Sequence, residues 1–310
     1  DTSDLGITRA GVLYVCFFAS GSAGLIYEVL WEKYLALFVG GTGLAQVIVL
    51  ATFMGGMALG NFVLGGFADR VRSPLKLYVF LELAIGVYAL LFGHIFELGH
   101  SLFIAVAHMT GLSAAGLVSA KMVSSAACIL LPTFLMGGTL PSLGRHVVSG
   151  ISNLGSRISR LYFLTSLGAV AGCLFAGFYL VRAYGLQFSM VLGGGVNILA
   201  GIVALLTFQG SRAGSRAGSR EVGAGLDSRE LVPAGVVGKR VFGVILVCAG
   251  LSGAVSMVYE VAWIRLLTLV LGSSTYSFTI MLATFILGLS LGAFFFSLWN
   301  ILITETASLV

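Results

Sequence analysis

The sequence is short of charge, of proline and of cysteine. Only 9% of its 310 residues are Asp, Glu, Lys or Arg, against about 25% in ordinary soluble domains. With 58% hydrophobic residues and a mean hydropathy of +1.05, the apolar surface is too large for a water-soluble core to hide. That excludes a cytosolic enzyme and a disordered chain. Four cysteines, Cys16, Cys128, Cys173 and Cys248, all fall inside apolar runs and fit no metal spacing. They read as small packing residues, which excludes a secreted disulfide scaffold. Strict polar–apolar alternation is also missing, so a membrane β-barrel does not fit.

What the chain has is long apolar runs of about 20 residues, the length of a spanning helix. The expected fold is all-α, a polytopic transmembrane bundle of about eight spans. They fall at roughly 10–32, 43–67, 75–97, 116–138, 160–182, 187–208, 241–264 and 274–299. Thirteen of the 17 basic residues fall on one side of this arrangement, leaving Lys33, Lys121, Arg182 and Arg265 on the other. The positive-inside rule then puts both termini in the cytoplasm. The lipid bilayer is the first expected partner. The basic excess reports topology, so no nucleic-acid partner is expected.

Three domains follow. Residues 1–208 form a first six-helix half. Residues 209–240, where Gly-Ser-Arg recurs, form a flexible basic linker. Residues 241–310 begin a second half with two helices. The halves are related. Displacing the chain by 232 residues lays 20–60 on 252–292 without a gap, with 17 of 41 positions identical. Tyr27-Glu28-Val29-Leu30-Trp31 meets Tyr259-Glu260-Val261-Ala262-Trp263. Gly40 meets Gly272, Gly56 meets Gly288 and Gly60 meets Gly292. An even number of spans between the copies makes the repeat parallel, as in transporters built from two like halves. Such halves pair up whole, so the molecule is expected to continue past Val310, with an unusual 6+2 layout as the alternative.

The repeated motif holds the first candidate site. A carboxylate in a span costs roughly 2.5–3.5 kcal/mol at the bilayer centre, so Glu28 and Glu260 call for a partner, a cavity or a ligand. One reading is a cation site at the pseudo-twofold axis. The two carboxylates would supply charge, and Tyr27, Tyr259, Trp31 and Trp263 would supply aromatic walls. A polyamine would suit such a site. The plainer reading is an interfacial aromatic belt, with each Glu paired to a base or capping a helix end.

Glu82 and Lys121 fall in adjacent spans and are expected to pair or to form a relay. Asp69 and Arg70, in Gly65–Val71, are expected to fix a conformational loop. That segment resembles the loop after the second helix of major facilitator transporters, with Ser73-Pro74 in place of the usual Gly-Arg. Gly56/Gly60, Gly168/Gly172 and Gly288/Gly292 are spaced for close helix packing. Pro132 and Pro141 suggest a kinked or broken fourth span. His94, Glu97 and His100 read as interfacial polar residues, so no metal is expected. Gly193–Gly195 lie inside a span and cannot be a nucleotide loop. No catalytic set and no cofactor site are expected within 1–310.

Several motifs are specific to one family. "SGSAGLIYEVLW", "LPTFLMGGTLPSLGR", "LYFLTSLGAVAG" and the segment from Ser252 to Gly292 resemble the membrane region of bacterial fused spermidine synthase-like proteins. The resemblance implies a transporter-like module in the bacterial cytoplasmic membrane, often followed by a soluble aminopropyltransferase domain. It thereby implies a cationic-amine, polyamine connection. The alternative expectation is a non-catalytic accessory subunit, partnered by other membrane subunits or by its own copies.

Overall fold

A computed structural model describes residues 2–110, 113–147, 154–214 and 239–307, and these are almost wholly helical. The elements are α1 (Thr2–Val39), α2 (Thr42–Ala68), α3 (Pro74–Thr110), α4 (Ala114–Gly137) and the short α5 (Thr139–Val147). After them come α6 (Leu154–Phe175), a π-helical turn at Ala176–Leu180, α7 (Val181–Gly214), α8 (Lys239–Leu271) and α9 (Ser274–Ala307). Most of the expected linker, 215–238, lies outside the described residues.

Among the described residues, seven continuous stretches are long and apolar enough to cross a membrane. The protein is therefore a multi-pass helical membrane protein. Eight spans were expected, and the difference lies in one stretch. Ile158–Thr207 runs for 50 residues, about 75 Å of helix against a bilayer core of about 30 Å. It is broken at Gly185, whose φ is 77° and ψ −179°. Gly168 and Gly172 of α6 meet Phe18 and Ser22 of α1 in ascending order. By contrast, α7 descends along α3, with Gln187 opposite Gly93 and Ile198 opposite Gly86. Because α1 and α3 run the same way, Phe17 beside Tyr78 and Trp31 beside Phe92, the chain must reverse at Gly185. The two spans share one glycine turn, with no loop between them.

The same tracing gives the direction of the repeat. α9 descends along α6, with Thr279 by Gly177 and Phe294 by Phe163, so it runs as α2 does. The α1–α2 and α8–α9 turns also match in detail. Gly40 has φ 84° and Gly272 φ 67°, a region open to glycine at little cost. The Gly40 amide donates to Ala36 and the Gly272 amide to Thr268, both at 3.0 Å. The two copies are therefore parallel and turn at the same end of the bundle, called here the turn side. Gly185 lies at that end too.

Close packing rests on glycines. The backbone carbonyls of Phe18 and Ser22 occupy the space that a Cβ at Gly168 or Gly172 would need. Thr133 and Phe134 of α4 do the same at Gly56 and Gly60. Gly288 and Gly292, the matching pair in α9, face open space. Pro132 stays within α4, and the helix breaks instead at Gly138, just before α5. Proline has no amide for the carbonyl four residues back. That carbonyl, on Cys128, accepts the Tyr88 hydroxyl of α3 at 2.6 Å.

Candidate functional site between the repeats

Glu28 and Glu260 occupy the same position in two parallel copies, and the fold turns them toward one another. α1 is packed by α2, α3, α6 and α7 and buries Glu28 completely. α8 is exposed along most of its length but buries Glu260 and Ile264, one helical turn apart. That stripe is the face α8 lays on the bundle. Glu260 is 1% exposed, and Glu28 lies within electrostatic range of it. Among the described residues, none of their four carboxylate oxygens has a hydrogen-bond partner. Cys173 of α6 lies near Glu28 and points its thiol at the Thr279 carbonyl of α9, 3.5 Å away. The π-helical turn begins three residues further on, at Ala176. Such turns often sit at functional sites, because they break the regular hydrogen-bond ladder.

Two bare carboxylates in such a place repel each other and lose their hydration. Such an arrangement calls for neutralisation, by protons on the carboxyls or by a cation beside them. Chemically the site is a buried pair of carboxyl groups, one from each repeat.

The aromatic residues of the motif are not arranged as walls around this pair. Tyr27 is buried, and its hydroxyl donates to Asn197 Oδ1 of α7 at 2.7 Å. Trp31 is buried against Phe53 of α2 and Phe92 of α3. Both brace α1 within its own half. Tyr259 and Trp263 are 61% and 56% exposed, on the outer face of α8. The physical reason is helix geometry: each Tyr stands about 100° and each Trp about 60° round the helix from its Glu, both to the same side, and on α8 the buried Glu260–Ile264 stripe turns that side outward.

The expected pairing of Glu82 with Lys121 is not formed. Glu82 is buried and accepts Ser20 Oγ at 2.6 Å and Asn197 Nδ2 at 2.5 Å. Lys121 Nζ instead lies over the rings of Phe38 and Phe103, 5.7 and 6.0 Å from their centroids. α3 and α4 run antiparallel, so neighbouring residues share a depth. Lys121 is level with Phe103, about twenty residues and about 30 Å along α3 from Glu82. Asp69 ends α2 and pairs with Arg145 of α5, which ties these two elements together outside the core. His100 packs edge-on against Phe38 at 5.2 Å, and no metal-binding group is found among the described residues.

Two residues were missed in the sequence. Asn197 closes a buried chain from Tyr27 to Glu82, and its signal was a lone amide in an apolar span. Glu32 is fully buried one turn beyond Glu28, 2.6 Å from Lys33 Nζ and 3.5 Å from Gln46 Nε2. The repeat hides it, because the second copy carries Ile264 there. Arg265, the counterpart of Lys33, lies against Gly43 of α2, where any side chain would collide with it. The two repeats thus meet just beyond the carboxylate pair on the turn side.

Compared with family models, with curated proteins and with solved structures, the chain matches none of them.

Proposed function

We propose that this chain is the transporter-like membrane domain of a spermidine synthase-like protein, and that it holds a cationic amine between its two repeats. Glu28 and Glu260 carry this reading. They form an unpartnered, buried dicarboxylate contributed equally by both copies. A primary or secondary ammonium supplies the charge and the N–H donors that all four oxygens lack. Placement between parallel repeats is where transporters of this build hold their ligand. Such a site binds the amine, moves it, or couples it to the membrane.

The basic residues support an orientation. Arg70, Arg72, Lys76, Arg145 and Arg160 belong to the end opposite the turn side, whereas Lys33, Lys121, Arg182 and Arg265 belong to the turn side. By the positive-inside rule the first end faces the cytoplasm of a bacterial cell.

Spermidine binding to the detergent-purified protein, read by calorimetry, tests the proposal. Glu28→Gln and Glu260→Gln should each weaken binding by about tenfold or more, the effect of about 1.4 kcal/mol. Unfolding temperature should not fall, since Gln keeps the shape and removes a buried charge. Unchanged affinity in both variants contradicts the proposal.

A further inference from the structure

The second copy of the repeat keeps the packing chemistry of the first, yet none of the described residues meets it in the same way. On α1, Ser20 donates to Glu82 of α3, and Thr165 of α6 fills the space beside Gly21. Tyr27 donates to Asn197 of α7, and Trp31 packs on Phe92 of α3. The matching residues on α8 are Ser252, Gly253, Tyr259 and Trp263, all four identical in type. Ser252 is exposed, Gly253 has nothing within 4 Å, and Tyr259 and Trp263 are more than half exposed. On α9, Gly288 and Gly292 are equally open, where Gly56 and Gly60 hold α4.

Lipid is a poor cover for this face. Tyr259 lies two residues from the middle of the Gly243–Leu271 span, about 3 Å along the helix. A phenol hydroxyl there has neither water nor backbone to bond with, a cost of roughly 1–3 kcal/mol. Lipid also gives no reason for a glycine at 253 or for the Gly288/Gly292 spacing. A second copy of this chain does not fit either. Its α3, α4, α6 and α7 are already packed on its own α1, α2 and α9 and on one another.

We infer that the outer face of α8 and α9 seats a second group of membrane-spanning helices with the chemistry of α3, α4, α6 and α7. One helix brings a carboxylate or amide within reach of Ser252 and Tyr259. Another lays its backbone on Gly253, a third sits on Gly288 and Gly292, and an aromatic ring meets Trp263. This inference is independent of what the carboxylate pair binds.

The test is photo-crosslinking in the native membrane. p-Benzoylphenylalanine replaces Tyr259 or Trp263, and Phe62, 83% exposed on α2, serves as the control position. After irradiation the adducts are sequenced by mass spectrometry. The expected adduct at 259 and 263 is a hydrophobic helix peptide from outside α1–α9, with an acidic or amide residue within a turn of the attachment point. A second variant, Gly253→Leu, starts from a position with none of the described residues within 4 Å. It should leave the unfolding temperature unchanged and abolish the protein adducts. Lipid adducts at 259 and 263 like those at 62, adducts to α1–α9 of another copy, or adducts that survive Gly253→Leu would each overturn the inference.

Discussion

The Tyr88 hydroxyl donates to the Cys128 carbonyl that Pro132 leaves free, joining α3 to α4 at 2.6 Å. A helix interior that loses a backbone donor must find another, because the bilayer supplies no water. Tyr88→Phe should therefore cost about 1 kcal/mol. Pro132→Ala restores the amide, so in that background the Tyr88→Phe penalty should shrink. A double-mutant cycle read by unfolding in detergent measures this coupling, and additive effects would contradict it.

The Glu82–Asn197–Tyr27 chain makes a second prediction. Glu82 and Asn197 touch, so a cycle between them should show coupling of about 1 kcal/mol. A cycle between Glu82 and Lys121 should be additive within about 0.5 kcal/mol. Coupling of Glu82 to Lys121 equal to that with Asn197 would contradict the structure.

These two cases show what the amino-acid pattern reveals and what it hides. Spans and repeat were readable, because hydrophobic length and identity at a fixed displacement survive without a structure. The equivalence of Gly40 and Gly272 was readable for the same reason. The expected spans 160–182 and 187–208 stop on either side of Gly185, and because the turn there has no loop they join into one continuous stretch, which lowers the count by one. Glu82 was assigned to Lys121 because both are charged and their spans are neighbours. Depth along antiparallel helices decided otherwise, and depth depends on where each turn falls. The equivalence of Glu28 and Glu260 was visible; the different fates of their aromatic neighbours were not. Tyr27 and Trp31 have helices α3 and α7 to pack on, and Tyr259 and Trp263 do not.

The turn glycines make a third prediction. Gly40 and Gly272 have positive φ and open space where a Cβ would sit. Substitution there is a backbone problem alone. Val at either position should destabilise by about 1–2 kcal/mol, and Asn by less, since Asn visits this region more readily. Thermal unfolding in detergent reads the difference, and equal effects of Val and Asn would contradict the assigned turn.

The glycine pairs make a fourth. Gly168→Leu drives a side chain into the Phe18 backbone and should cost about 1–3 kcal/mol or prevent folding. Gly288→Leu meets none of the described residues and should change the stability of the purified chain by less than about 0.5 kcal/mol. Similar losses at both positions would mean that α9 packs differently.

The central claim is that Glu28 and Glu260 act as one site on a shared cation. Spermidine affinity across the cycle of wild type, Glu28→Gln, Glu260→Gln and the double variant tests it most directly. If both carboxylates hold one ligand, each single variant loses about tenfold or more, and the two effects are not additive. Wild-type affinity in all three variants would contradict the claim.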